Sequence, residues 1–404
     1  MRDGWIETSL GEIAEVIGGG TPSTAIAEYW DGNIVWLTPT EITSQDGKVV
    51  SDSIRKITDS GFKNSGAQML KKDSVILTSR ASVGYVALAG KDLCTNQGFQ
   101  SLVPKQSVLA KFLLFWIQQN RSEFESRSAG STFKEISKSN VKSIKLQLPP
   151  LPEQKRIIDL ISSVDSYIES LQQQLESAKN SKSAYVNTIV TAVFARGKKT
   201  KIADIAEVKG GKRLPKGTPW SEEPTDHRYI RVTDIKDGVI LTENLVYVPD
   251  DVWPLISRYV VNQGDVVITI AGTIGQVGVI PDSLDGVNLT ENAAKIVVDR
   301  KLVRSNYLGM LLGSNYYQQD IDSKTKKTTQ PKLGLNMINS IEIPLPELAE
   351  QDEIFSVVSQ IDTLIASTND LIMQTITLRS GLLSDLLSGE HEIPPSYDKV
   401  IGAA

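Results

Sequence analysis

The chain has 404 residues, 40% of them hydrophobic and 23% charged, with 43 basic and 48 acidic side chains giving a net charge of −5. At roughly 150 residues per domain that length predicts two or three globular domains, and the composition excludes a disordered or fibrous chain. A single cysteine, Cys94, and two histidines, His227 and His391, exclude an internal disulfide, a thiolate zinc site and a His-rich metal centre.

At the N-terminus, Met1-Arg2-Asp3-Gly4-Trp5 shows no hydrophobic signal segment. Apolar runs such as Leu113 to Ile117 and Val266 to Ile270 are far shorter than the roughly 20 residues that span a bilayer. The expectation is a cytoplasmic protein without a membrane partner.

The chain repeats itself with a period near 195 residues. Ile13-Ala14-Glu15-Val16 returns as Ile205-Ala206-Glu207-Val208, each followed by paired glycines, Gly18-Gly19 and Gly210-Gly211. Thr40-Glu41-Ile42 returns as Thr233-Asp234-Ile235, and Ser74 to Ala87 aligns with Asp265 to Gly278, pairing Thr78 with Thr269 and Gly84 with Gly275. Phe112-Leu113 falls on Tyr307-Leu308, and Ser131-Thr132 on Thr328-Thr329. Ile144, Glu153-Gln154, Ile157, Asp165, Ile168 and Ser170 fall on Ile341, Glu350-Gln351, Ile354, Asp362, Ile365 and Ser367. A period this long makes each unit a whole domain with an appendage, not a solenoid repeat.

Each half opens with β-branched runs punctuated by glycine: Ile34 to Leu37, Val75 to Thr78 and Tyr85 to Leu88, then Val266 to Ile270 and Val277 to Ile280. They predict a mixed, β-rich α+β domain with at least one buried helix, at Phe112-Leu113 and Tyr307-Leu308. A proline-rich hinge follows, Leu148 to Gln154 and Ile343 to Gln351, an extended lead-in to a helix start. Beyond it Ile157, Ile161, Val164, Ile168, Leu171, Leu175, Ala178, Lys182, Tyr185 and Ile189 alternate steps of four and three. The second copy reads Ile354, Val358, Ile361, Ile365, Thr368, Ile372, Thr375, Arg379, Leu382 and Leu386, with its basic break at the same place. This is the spacing of a coiled-coil seam, and a one-striped helix needs a partner, so the two copies are expected to pack on each other. The divisions predicted are 1–150, 151–197, 198–341, 342–390 and a tail 391–404.

Catalytic motifs fail in turn. The glycine clusters match neither phosphate-loop pattern and read as tight turns. Asp46-Gly47-Lys48 has a nuclease-like spacing, but its counterpart Asp237-Gly238-Val239 loses the lysine, so a hairpin turn is expected. Pro149-Pro150 sits between leucines, without the acidic or Asn residue and aromatic neighbour of an amino-methyltransferase motif. His227, beside Arg228, reads as a solvated surface residue. No catalytic residue, metal site or cofactor is expected in this chain. Local charge is more informative. Lys134, Lys138 and Lys142 in the first half, and Lys209, Lys212, Arg213, Lys324, Lys326, Lys327 and Lys332 in the second, form basic runs suited to phosphate contacts.

The hinge-helix strings from Leu148 and Ile343, with Gly18 to Ser23 and Gly130-Ser131-Thr132, resemble the specificity subunits of type I restriction–modification enzymes over about Trp5 to Gly389. The second copy departs at Glu347-Leu348-Ala349, where the first reads Pro150-Leu151-Pro152, and the helix start survives the change. The resemblance implies two tandem target recognition domains, each followed by a long helix, the helices pairing as an antiparallel coiled coil with pseudo-twofold symmetry. It implies a non-catalytic subunit binding double-stranded DNA at a bipartite, asymmetric target. Two methylation subunits that modify adenine, and restriction subunits, would assemble on it. Ile157, Ile161, Val164, Ile168, Leu171 and Leu175 would pair with Ile354, Val358, Ile361, Ile365, Ile372 and Leu382. Helices of about 40 residues span about 60 Å, so losing a heptad from both is expected to alter the spacer and neither half-site. Within the same class, a specificity-type subunit of a related methyltransferase or type II-like system without translocation is the alternative. Two other classes compete, a self-contained methyltransferase or nuclease and a coiled-coil adaptor that ignores DNA. The net charge does not oppose DNA. Residues 1–150 and 198–341 are each net +2, and 342–404, at net −9, set the total.

Overall fold

The computed structural model describes residues 4–130, 134–196, 199–236, 238–325 and 331–400. Two compact units emerge, Met1–Leu171 with Leu371–Ala404, and Gln172–Asp370. Each therefore contains one β-rich domain and a stretch of both long helices.

In the first unit a five-stranded sheet runs in the order Ala14–Gly18, Gln100–Pro104, Val75–Leu77, Val86–Ala89, Val49–Val50. Its pairs are antiparallel except the last, which is parallel. A second sheet places Trp30–Leu37 between Lys56–Ile57, antiparallel, and Cys94–Thr95, parallel. Helix Ala110–Gln119 lies under the larger sheet. Phe112, Leu113, Phe115 and Trp116 are buried with Val16, Val75, Leu77, Val86 and Leu102 in one cluster. The β-branched runs became strands because period-two alternation lets Val and Ile fill this face, while the Phe112 helix supplies the opposing one.

The second unit repeats the order: Ala206–Gly210, Ala293–Val298, Val266–Thr269, Val277–Val279, all antiparallel. Its smaller sheet again contains a parallel pair, Arg228–Ile230 with Val287–Leu289. Helix Ser305–Leu312 buries Tyr307 and Leu308 against the four-stranded sheet. Both units are mixed α+β domains, and the segments aligned by the repeat occupy equivalent strands.

The Asp-Gly turns divide. In the second half Gly238, at φ +90°, stands between the antiparallel strands Ile235–Lys236 and Val239–Ile240; Asp237 lies outside the described residues. In the first half Asp46-Gly47 is not a hairpin. It joins helix Pro39–Thr43 to Val49–Val50, and the Asp46 carboxylate accepts the Val86 amide and pairs with Arg121. That partner charge, absent from the local pattern, chose the other turn.

Both long helices, Leu151–Ala195 and Leu348–Ser388, form as the hinge pattern requires. Gln154, fully buried, anchors the first: its Oε1 accepts the Leu109 amide at 2.8 Å and its Nε2 donates to the Ser107 and Pro149 carbonyls. Gln351 makes the same three bonds to Arg304, Leu302 and Pro346. The recurring Glu-Gln of the hinge is thus a clamp between helix start and domain.

Within each unit the helix stretches run antiparallel. In the second, Lys182 pairs with Asp362 and, further along, Arg196 pairs with the earlier Glu350. In the first, Asp165 pairs with Arg379, and the earlier Ile157 and Ile161 share a core with the later Leu383, Leu386 and Leu387. Ile157, Ile161, Ile168, Leu171, Ile354, Val358 and Ile372 are buried; Val164, Leu175, Ile361, Ile365 and Leu382 are half-buried. Near the end of the first helix the stripe moves over by one residue. Val186, Val190 and Val193 are buried, while Tyr185 and Ile189 are only partly so. A straight helix drifts from a strict seven-residue repeat, and here Val186 and Val190 join the domain core that includes Ile205, Tyr307 and Leu308.

Candidate nucleic-acid interface

In each unit four loops are tied edge to edge by backbone hydrogen bonds, and the same ties recur in both. The first loop is the glycine turn. A Cβ on Gly19 would stand 2.0 Å from the Asn96 carbonyl, and one on Gly211 2.1 Å from that of Thr290. Glycine is required there because the turn is pressed against its neighbour. The Gly20 amide donates to Thr95 at 2.9 Å and the Lys212 amide to Leu289 at 2.8 Å. A buried aromatic tip then holds each turn from behind: Trp36 Nε1 donates to the Gly20 carbonyl, and Tyr229 Oη to that of Lys212, both at 2.8 Å. Burial pushes the Tyr229 phenol up to about 12, so it stays a donor at neutral pH.

The chain of ties continues outward. Ser79 donates to the Gly98 carbonyl and Ile270 to that of Asn292; Ile136 donates to Ser79 and Leu333 to Ile270. Between them lie the tight loops 78–84 and 269–275, closed by hydrogen bonds from the Thr78 and Thr269 hydroxyls to Ser82 and Thr273. The result in each unit is one continuous ridge carrying exposed polar and cationic side chains. On the first ridge are Thr21, Arg80 and Gln97; on the second, Lys212, Arg213 and Thr273. Such groups suit contacts with phosphates and base edges.

Lys134 belongs to the first ridge: it is exposed and its carbonyl accepts the Ala81 amide at 3.1 Å, while Arg80 pairs with Glu135 at 2.8 Å. Lys212, Arg213 and Lys332 lie on the second. Lys212 sits 5.8 Å from the Tyr259 ring, Arg213 3.9 Å from Glu291, and the exposed Lys332 precedes the Leu333 tie. The other cations are carried elsewhere. Lys138 and Lys142 are exposed on the short helix Lys138–Ser143. Lys209, on an edge strand, pairs with Glu207, and Lys324, on helix Asn315–Thr325, pairs with Asp320 one turn back. Lys326 and Lys327 lie outside the described residues, as do Ser131-Thr132 and Thr328-Thr329. Sequence reasoning missed Arg80, Thr21 and Gln97 because each stands outside a charge run; the repeated Thr78/Thr269 and Gly84/Gly275 frame was their signal.

No group of three or more His, Cys, Asp or Glu among the described residues could hold a metal ion. Cys94 is buried, its thiol pushed up to about 12, far from nucleophilic. His227 is not simply solvated: its ring stacks on Trp253 at 4.2 Å and lies 3.6 Å from Asp250. No helix among the described residues is long and apolar enough to cross a membrane.

Each unit thus presents a loop ridge on a mixed sheet, with the start of a long helix clamped to its domain by a buried glutamine, the architecture of a duplicated recognition module. The family model for the type I restriction modification DNA specificity domain matches the chain twice, over residues 2–180 and 197–377, and the chain belongs to that family. It is 26% identical to the MjaIX specificity subunit of Methanocaldococcus jannaschii, across 96% of this chain and 94% of that one. It is also 26% identical to the EcoBI specificity subunit of Escherichia coli, across 67% and 63%. Two solved structures share the fold at 17% identity. One is a chain from a study of complex assembly and conformational transition in the type I system, with TM-score 0.65 and coverage of 96% and 98%. The other is the S subunit from M. genitalium, with TM-score 0.55 and coverage of 95% and 96%.

Proposed function

We propose that this chain is the DNA sequence-recognition subunit of a type I restriction–modification complex. Residues 1–150 and 198–341 are the two reading domains, 151–197 and 342–390 the helical spacers, and 391–404 a tail. Each domain reads one half of a bipartite, asymmetric site in double-stranded DNA. Two methylation subunits that modify adenine assemble on the chain, and restriction subunits add endonuclease activity, so the catalysis belongs to partners. The work is done in the cytoplasm.

The observation that carries this reading is the pair of ridges, built on one frame and bearing different side chains. One frame repeated makes two readers; different side chains make two different half-sites. Both domains are only mildly basic, so the methylation subunits supply much of the grip on phosphate.

The test is a salt titration of the reconstituted methylation complex on duplex DNA. Neutralising about 6–10 phosphates lowers affinity by about 10³–10⁵ between 50 and 200 mM salt. An adaptor that ignores DNA shows no binding at either concentration, and methyl-donor binding by this chain alone would return it to the enzymes.

A further inference from the structure

Two pairs stand at the same place on the two ridges, with Thr21, Gln97 and Arg213 exposed and Glu291 half-buried. Thr21 follows Gly20, and Arg213 follows Lys212, the residues whose amides and carbonyls are tied in both units. Gln97 lies between Thr95 and Gly98, and Glu291 between Leu289 and Asn292, the carbonyls that accept from the neighbouring loops. Within the first pair the Thr21 hydroxyl is hydrogen-bonded to Gln97 Oε1. Within the second the Arg213 guanidinium stands 3.9 Å from the Glu291 carboxylate, its side chain 73% exposed. The frame beneath is the same and the chemistry on top is not: a neutral hydroxyl–amide pair in one unit, a charged guanidinium–carboxylate pair in the other.

Resting on the DNA-recognition reading, we propose that Thr21–Gln97 and Arg213–Glu291 are equivalent base-reading positions, with Gln97 taking adenine and Arg213 taking guanine. The glutamine amide offers one donor and one acceptor side by side, matching adenine N6 and N7 in the major groove. The guanidinium offers two parallel donors, matching guanine O6 and N7. Rigid support matters as much as the chemistry. The backbone ties and the buried aromatic tether fix the points from which the readers extend, so the loop does not shift to accommodate a wrong base. Thr21 and Glu291 hold the readers in place before DNA arrives, and each is released when its partner meets a base.

The test maps methylated adenines in an unmethylated host expressing the chain with its methylation subunit. Variants are Gln97→Ala, Arg213→Ala and the exchange Thr21→Arg with Gln97→Glu, each also melted to confirm folding. Gln97→Ala should relax one adenine-containing base pair in one half-site by about 10- to 100-fold and leave the other half-site as it was. Arg213→Ala should do the same to one guanine-containing pair of the other half-site. The exchange should convert the adenine preference to guanine at that position. Unchanged motifs in the two alanine variants overturn the proposal. So does uniform loss of methylation at all sites by variants that melt like the wild type, since that marks a phosphate anchor. A wild-type complex with no split motif overturns the DNA-recognition reading itself, whatever the variants do.

Discussion

Asp165 and Arg379 face each other between the two long helices, with Arg379 Nη2 3.1 Å from Asp165 Oδ2 and a second bond through Nε. Under the repeat Asp165 corresponds to Asp362 and Arg379 to Lys182, and those two are also paired, at 2.5 Å. One contact is therefore made twice, with donor and acceptor exchanged between helices. The basic residue that interrupts each apolar stripe is the place where the opposite helix presents its carboxylate. An antiparallel register meets this condition; a parallel one would bring like positions together.

The bidentate Asp165–Arg379 pair is the better shielded, its side chains 34% and 21% exposed against 47% and 36% for Asp362 and Lys182. Arg379→Met should cost about 1–2 kcal/mol, and Lys182→Met under about 1 kcal/mol. Chemical denaturation measures both. The charge-exchanged double variant Asp165→Arg with Arg379→Asp should recover most of the first loss; failure to recover means the helices meet in another register.

Gln154 and Gln351, both fully buried, each satisfy three backbone groups, one buried and two part-buried. Alanine at either should cost about 2–4 kcal/mol, because an amide and two carbonyls are left without partners. Hydrogen exchange should localise the loss to the amides of Ser107–Leu109 for Gln154→Ala, and to those of Leu302–Arg304 for Gln351→Ala. Equal loosening of both regions in either variant would count against independent clamps.

Much of the fold was legible because the repeat supplied two readings of each element. Where both copies carry β-branched alternation, as at Val75 and Val266, strands formed; where both carry Glu-Gln after prolines, helices began. The stripe was legible through Ile372 but not at Val186 and Val190, because there the helix answers to a domain core that draws in residues as distant in sequence as Tyr307 and Leu308. Ile161→Ala, fully buried, should accordingly cost about 2–4 kcal/mol, and Leu175→Ala, half-buried, clearly less, by denaturant midpoint. The ridge was less legible. Charge runs located Lys134, Lys212, Arg213 and Lys332, but also Lys138, Lys142, Lys209 and Lys324, which other elements carry. Thr21 and Gln97 meet through two turns 76 positions apart, and no local pattern encodes that.

Tyr229 ties alkaline stability to the second ridge. Its phenol titrates near 10 when unfolded and at about 12 in the fold, raised by burial. Between those values the folded chain keeps a proton that the unfolded chain has released. Its stabilisation is therefore present below pH 10 and declines as pH rises towards 12. Tyr229→Phe removes the donor to Lys212 and should cost about 1 kcal/mol at neutral pH. The wild-type advantage over this variant, measured by denaturation at pH 8 and at pH 11, should shrink with alkalinity. An advantage that grows would reverse the assignment.

One chain carrying two different DNA readers leaves its mark on every genome it helps to methylate. Genome-wide mapping of methylated adenine, in an otherwise unmethylated host expressing this chain with its methylation subunit, is the most direct test. Two different readers on one chain give a single split motif with two dissimilar half-sites separated by a fixed unspecified spacer. A continuous motif, a split motif with identical halves, or no motif would contradict two different readers.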